Sequence, residues 1–357
     1  MRIQLIDPSA DVLPYDHALA AALARRGASV ELVTSRFVHG PAQAPDGYAV
    51  SESFYRLATG VGARRPRLRR ALKLAEHVPD SLRVRGRAAN ADLVHWQWLW
   101  LEAVSMRLLP RGRPQVLTMH NVIRRGRSGR ALADRMDAVI VHTRHGAELL
   151  GDGPRVHVIP HGAFEHLTRL PDERPLPPEL AAVEGPVVLC FGVVRPYKGV
   201  DVLVEAFRSI QGAELWVVGR PLGVSLDELH APANVRFVPR YVSDAELPAY
   251  FRRADLLVLP HRSVDVSGVL FAGLAFGKPT VLTDVGGFRE LVEEHGAARL
   301  VPPGDAGALS TAIGELLADP AELADLAARA RAAATGPYSW DAVAARTMAV
   351  YDEVLAG

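Results

Sequence analysis

Short apolar runs recur along the chain, separated by segments whose apolar residues fall at helical spacing. In the first half the runs cover 2–7, 30–34, 92–95, 116–118, 138–142 and 156–159. In the second they cover 187–191, 215–218, 235–238, 256–259 and 280–283. Each is nearly continuous rather than alternating, the pattern of a strand covered on both faces in a parallel sheet. Helical spacing predicts helices over 17–26, 200–210, 244–253, 269–276, 306–317, 320–334 and 341–355, several closed by Gly or opened by Ser, Asp or Pro. Strands alternating with helices predict an α/β protein with parallel sheets. Residues 39–60 read as a loop, and 168–186, with five prolines, as a linker. The expected division is a first domain over 1–167, the linker, a second domain over 187–335 and a terminal helix over 336–357.

Turn chemistry marks where a ligand would sit. The run at 256–259 ends in Pro260 and a polar loop, and the helix after it starts near Gly268. The run at 187–191 ends in Gly192, with Arg195, Lys198 and Gly199 ahead of another helix. Helix N-termini at one sheet edge favour an anion, above all a phosphate, and an Arg–Lys pair suits a diphosphate. The plain alternative is glycines that only make turns and cations in surface ion pairs. In the first loop, Tyr15 and Asp16 either contact substrate or, for Asp16, cap the helix. Trp96 and Trp98, two apart, either stack on an acceptor ring or pack in a core. Ser243 with Glu246 has the spacing of a capping box. His142 and His145 have no Cys/His/Asp set around them to complete a metal site.

Composition narrows the class. The 49% hydrophobic and 23% charged residues are those of a soluble globular protein, and 357 residues suffice for two cores. With the first strand at residue 2, no room is left for a signal peptide, and the single Cys190 excludes an internal disulfide; a cytoplasmic protein is expected. The net charge of +1 conceals a split: 25 Lys+Arg face 15 Asp+Glu in residues 1–170, and 16 face 25 in the remainder. The basic excess concentrates in 62–87, with nine basic residues against Glu76 and Asp80. Leu68, Ala71, Leu72 and Ala75 there fall at helical spacing, with Arg67, Arg70 and Lys73 towards another side. Such a helix either lies on an anionic membrane surface or is a solvated face whose arginines pair with neighbouring acids. The absence of G-x-G-x-x-G after a strand excludes a nicotinamide dehydrogenase.

The run SGVLFAGLAFGKPTVLTDVGGFRELVE, residues 267–293, resembles the donor-site signature of the family 4 glycosyltransferases. The resemblance implies a GT-B fold: two Rossmann-like domains facing each other across a cleft, with a C-terminal helix crossing back to the first. It implies retaining transfer of a sugar from a nucleoside-diphosphate sugar to an acceptor hydroxyl, without metal or other cofactor. The partners implied are that donor and a sugar or lipid-linked acceptor, with no nucleic acid. His120 falls where the family places a histidine facing the transferred sugar. Gly192, Arg195 and Lys198 fall at the diphosphate clamp, although the family's arginine usually stands at Val193. Arg240 and Tyr241 fall at the base-binding turn, and Asp265, Ser267, Gly268 and Val269 at the sugar-phosphate loop. The family's two glutamates, separated by seven residues, are here Val264 and Ala272, and its pair of glycines in the first loop is missing. A GT-B epimerase or phosphorylase, and a nucleotide-sugar-binding protein without catalysis, are the other readings.

Overall fold

The computed structural model describes all residues except 39–42, 62–64, 124–125, 152 and 154, and only the backbone of 126–127. Seven strands form the first sheet: β1 (Arg2–Asp7), β2 (Ser29–Ser35), β3 (Ala49–Phe54), β4 (Leu93–Trp96), β5 (Gln115–Thr118), β6 (Ala138–Val141) and β7 (Val156–Val158). Their order is β3-β2-β1-β4-β5-β6-β7, and every pairing is parallel. A second parallel sheet holds β8 (Val187–Phe191), β9 (Glu214–Val218), β10 (Val235–Val238), β11 (Leu256–Leu259), β12 (Thr280–Thr283) and β13 (Arg299–Val301), in the order β10-β9-β8-β11-β12-β13. In each sheet the order reverses beside the first strand, at β1/β4 and at β8/β11. Ligands of open α/β sheets bind beyond the carboxyl ends of strands at such a point.

The chain divides into two units, 1–160 with 340–357, and 161–339. Residues 161–186 are therefore not a free linker. Leu167 and Leu180 are buried in the second unit's core, and Leu170, Leu176 and Val183 pack on it. Prolines stiffen this stretch, but its leucines dock it. The last helix, Trp340–Ala356, packs in the first unit: Val343, Ala344, Thr347, Val350 and Tyr351 are buried, and the Tyr351 hydroxyl lies 2.6 Å from His95 Nδ1.

Several boundaries differ from the sequence expectation. The stretch 39–60, whose residues 39–42 lie outside the described ones, contains β3 and a short helix, Arg56–Gly60. β3 is an edge strand with only its last two residues buried, so it lacks the apolar run that marks the others. The first helix is Leu13–Arg25, with Pro in its opening turn and Val12 as N-cap. Asp16 is therefore inside the helix and is not its cap. The helix expected from 244 is Leu247–Arg253. Glu246 reaches back to Ser243 N and Oγ, at 3.0 and 2.7 Å, so only the glutamate half of the capping box forms.

Because Tyr351 is fully buried, Tyr351→Ala should cost the first unit about 3–5 kcal/mol. The expected readout is a lower melting temperature, with the 340–356 helix becoming the first site cut in limited proteolysis.

Candidate functional site

In the second unit the ends of β8, β11 and β12 are pressed into one edge by backbone contacts. Gly199, at φ 66°, lies against the carbonyl of Pro260, and Gly286, at φ 52°, against the carbonyl of Val264. A Cβ at either would overlap that oxygen, and both backbones are left-handed, where glycine is at ease. The loop after β8 is thereby held on the end of β11, and the loop after β12 on the 261–267 loop.

Lys198 sits in this edge, 9% exposed. Its Nζ has one long hydrogen bond, 3.4 Å to the Phe191 carbonyl. Burial holds its pKa below the usual lysine value, with the nearby Arg195 adding to the effect and Cys190 opposing it. No carboxylate is among the groups acting on it. Arg195 is half-buried on the same loop and makes no ion pair among the described residues. A Cβ on Gly192 would lie 3.0 Å from Lys198 Nζ and 3.1 Å from Val269 Cγ2, so Gly192, Lys198 and Val269 converge. Ser267 caps the helix Gly268–Ala275 with extended backbone and gives it no side-chain hydrogen bond. Leu270 N donates to the Ser267 carbonyl at 2.9 Å, and the turn before it receives no side-chain cap from Ser267. Asp265 and Ser267 are both buried in the loop, and Gly268 is exposed.

Two expected donor residues stand differently. The Arg240 guanidinium is engaged by Glu246 at 2.7 Å and by the Tyr241 carbonyl at 3.1 Å. Burial raises the Glu246 carboxyl, but Arg240 and Ser243 outweigh it and hold the group at about 2. The Tyr241 ring is half-exposed. His261, unremarked in the sequence, is 2% exposed directly after β11. Burial, and then Lys198, depress its imidazole to about 3, and its Nδ1 has no hydrogen-bond partner. Its only sequence signal is an imidazole at a strand's carboxyl end.

In the first unit, polar residues follow β4, β5 and β6 at the same edge. His120 Nε2 is 3.0 Å from Gln97 Oε1, and its Nδ1 is 3.0 Å from His142 Nε2. Tyr15 packs edge-on to His120 with centroids 4.7 Å apart and is 3% exposed. Asp16 is wholly buried beside the Asp7 carboxyl. Burial and the neighbouring Asp7 push it well above the carboxylate range, so it is a neutral acid and not an exposed acceptor contact. Asp7 is raised to about 6, by burial and then Asp11, against hydrogen bonds from Val12 and Ser9 N–H. Trp96 is a core residue, 6% exposed, its Nε1 donating to Gln115 Oε1 at 2.8 Å. The strand ends at Trp96, so Trp96 and Trp98 do not share an extended face, and the acceptor-stacking role does not hold for Trp96.

The basic stretch forms the helix Pro66–Arg87; Gly62 and Arg64 lie outside the described residues. Its inner face is polar. Glu76 accepts from Leu57 N and Ala58 N at 2.8 and 2.9 Å, Asp80 from Tyr55 N at 2.8 Å, and His77 meets the Tyr55 hydroxyl at 2.7 Å. Lys73 lies over the rings of Tyr55 and Trp100, 4.8 and 4.7 Å from their centroids. The outer face carries exposed Leu68, Leu74, Val78 and Leu82. Of the residues at helical spacing in the sequence, Leu68 is exposed and Leu72 packs on the core, beside the residues that anchor 55–58. Both acids are occupied by backbone N–H groups, and among the described residues Arg83 is the one arginine of the helix in an ion pair, with Asp80.

Two switch-point sheets, and a last helix returning to the first unit, define the GT-B class. The comparisons agree. The chain superposes over its whole length on sucrose-phosphate synthase from Thermosynechococcus elongatus, covering 99% of that chain, with TM-score 0.76 at 22% identity. It also superposes on Anabaena Alr3699/HepE in complex with UDP and glucose, over 99% of this chain and 100% of that one, with TM-score 0.75 at 20% identity. Residues 15–163 match the model of Glycosyltransferase Family 4 and residues 185–319 that of Glycosyl transferases group 1; the chain belongs to the family 4 glycosyltransferases. It is 33% identical over 240 residues to a D-inositol 3-phosphate glycosyltransferase of Xylanimonas cellulosilytica, across 60% of this chain and 56% of that one. It is 26% identical over 315 residues to an MMP alpha-(1->4)-mannosyltransferase of Mycolicibacterium hassiacum, across 76% and 72%. The chain spans about half the length of the inositol-phosphate relatives it matches. Among the described residues no cluster of three or more His, Cys, Asp or Glu is placed to hold a metal ion.

A buried lysine without a counter-ion destabilises the unliganded fold. Lys198→Met should therefore raise the melting temperature of the ligand-free protein, by about 2–4 °C per kcal/mol relieved. The folded pKa of Lys198 is below its unfolded value, so the folded state binds fewer protons as pH rises between the two. Wild-type stability gains there, and the advantage of Lys198→Met should narrow as pH climbs towards the unfolded lysine value.

Proposed function

We propose that the protein transfers a sugar from a nucleoside-diphosphate sugar to an acceptor hydroxyl with retention of configuration. One observation carries the donor assignment: Lys198 is a buried ammonium with no carboxylate acting on it and a second cation, Arg195, beside it. Such a site is completed by an anion from outside the chain. Gly192 leaves room over the ammonium, and the uncapped N-terminus of Gly268–Ala275 supplies N–H donors. In the reaction, Lys198, Arg195 and that helix end stabilise charge growing on the departing diphosphate. Ser267, Val269 and Asp265 line the sugar-phosphate loop, and His120 is the first unit's contact to the transferred sugar. Val264 and Ala272 supply no carboxylate, so Asp265 and Ser267 are the side chains proposed for polar contacts to the sugar. Arg240 acts on the base turn through Glu246, shaping the backbone of Tyr241 rather than touching the donor.

The acceptor reading rests on the first unit. The relatives named D-inositol 3-phosphate glycosyltransferase and MMP alpha-(1->4)-mannosyltransferase support a sugar or polyol hydroxyl. The outer face of Pro66–Arg87 supports docking on an anionic membrane surface, where a lipid-linked acceptor would be found. Exposed leucines flanked by arginines without ion pairs form the face such a surface binds, each arginine contributing about 1 kcal/mol near it. Among the described residues no helix is long and apolar enough to cross a membrane.

Lys198→Ala and Arg195→Ala should each lower turnover by about 10–150-fold, the equivalent of 1.5–3 kcal/mol per charge-assisted phosphate contact, with the fold intact. A panel of nucleotide sugars read by thermal shift identifies the donor, since binding stabilises by mass action. Mass spectrometry of the same mixtures distinguishes an enzyme, which consumes the donor, from a protein that only binds it. In liposome co-sedimentation, recovery should be greater on anionic than on neutral vesicles and fall with salt. It should be lost when Arg67, Arg69 and Arg70 are replaced by Glu; equal recovery on both vesicle types would retire the membrane reading.

A further inference from the structure

Four consecutive strand ends carry a chain of hydrogen bonds across the first unit's sheet edge. Gln97 follows β4, His120 follows β5, His142 follows β6 and Ile159 follows β7. His142 Nδ1 is 3.0 Å from the Ile159 carbonyl, and a carbonyl only accepts. His142 Nδ1 therefore carries a hydrogen. Burial depresses this imidazole to about 4, so at neutral pH its Nε2 is bare and accepts. The hydrogen between the two rings then belongs to His120 Nδ1, 3.0 Å away.

We infer that His142 is a positioning residue that fixes His120 in the Nδ1–H form, so that His120 meets a ligand only through a bare Nε2. A bare nitrogen accepts a hydrogen from a hydroxyl and repels the lone pairs of a phosphate oxygen. The ligand group met by His120 is therefore a sugar or polyol hydroxyl, and the phosphates are left to the second unit. This rests on the transfer reading above for the identity of the sugar, but the proton assignment stands on the first unit alone.

Gln97 is the group that holds the place of that hydroxyl. Its carboxamide oxygen is assigned to face His120 Nε2, and its nitrogen lies 3.2 and 3.5 Å from the two nitrogens of His95. Those two nitrogens already meet Thr118 Oγ1 at 2.8 Å and the Tyr351 hydroxyl at 2.6 Å. Only the one bare nitrogen of the neutral His95 ring can accept, and it already has a hydroxyl beside it, so the amide N–H finds at most a shared acceptor there. Turned about, the carboxamide offers N–H to His120 Nε2 and its oxygen to the C–H between the two His95 nitrogens, and every polar atom is better matched. An incoming hydroxyl replaces the Gln97 N–H.

The test is a long-range proton–nitrogen NMR spectrum of protein labelled with 15N-histidine, which reads each ring's protonated nitrogen without reference to activity. The expected wild-type spectrum shows His120 with hydrogen on Nδ1 and a bare Nε2. His142→Phe removes the acceptor and should move the hydrogen to Nε2, whereas His142→Gln, which keeps an acceptor, should retain more of the wild-type form. An Nε2–H ring in the wild type, or an unchanged His120 signal in folded His142→Phe, overturns the assignment; if that variant does not fold, the wild-type spectrum alone decides. Sulfate, an oxyanion with no hydrogen to donate, should leave the His120 Nε2 resonance where it is, and a shift would overturn the hydroxyl preference. A protein with the expected spectrum that consumes no donor would leave the relay standing and remove the transfer reading.

Discussion

An ammonium group inside a protein must be answered by something, and the fold of the second unit does not answer Lys198 with a carboxylate. The surrounding features follow from keeping that site vacant of protein carboxylates. Gly192 withholds a side chain, Gly199 lets the loop close on Pro260, and Ser267 leaves the following helix uncapped by its hydroxyl. His261, packed beside the ammonium, is held neutral by burial and by the lysine itself. The stability forgone in the empty protein is recovered by any anion that binds the folded state there.

The first unit solves the opposite problem. Its edge is dense in groups that both donate and accept, and the fold orders them by giving one end a partner with a single role. Ile159 contributes only a carbonyl, and that fixes the direction of every hydrogen bond back to His120. Towards β1 the edge is acidic instead, with Asp16 kept neutral by burial. The two units thus present chemically distinct edges, one cationic and one built of imidazoles, an amide and, towards β1, buried acids.

Most of the fold was legible because buried parallel strands are continuous apolar runs. The exceptions share a cause. β3 is an edge strand whose serines and glutamate meet solvent, and β13 is only three residues long, so neither has a run to see. Lys198, Gly192 and Ser267 were legible because a strand–glycine–helix turn constrains residue types locally. Trp96 misled because its partner Gln115 lies on the next strand, a relation that spacing along one strand does not carry. His142 was visible but read only as half of a metal pair; its role depends on a carbonyl 17 residues away. The outward turn of Leu68 was equally hidden, since it follows from Glu76 and Asp80 binding the backbone of 55–58.

The last helix places the end of the chain in the unit that the beginning of the chain builds. His95 and Tyr351 touch across 256 residues of sequence, and the whole of 161–339 is synthesised between the two pieces. On the ribosome, the second unit has all its residues before the first does. Emerging chains therefore pass through a stage in which the later-made unit is complete and the earlier-made one still exposes the surface that Trp340, Val343 and Tyr351 will cover. Loop closure of that length is slow relative to local contacts, so assembly of the first unit waits on the synthesis and docking of that helix rather than on its own sheet.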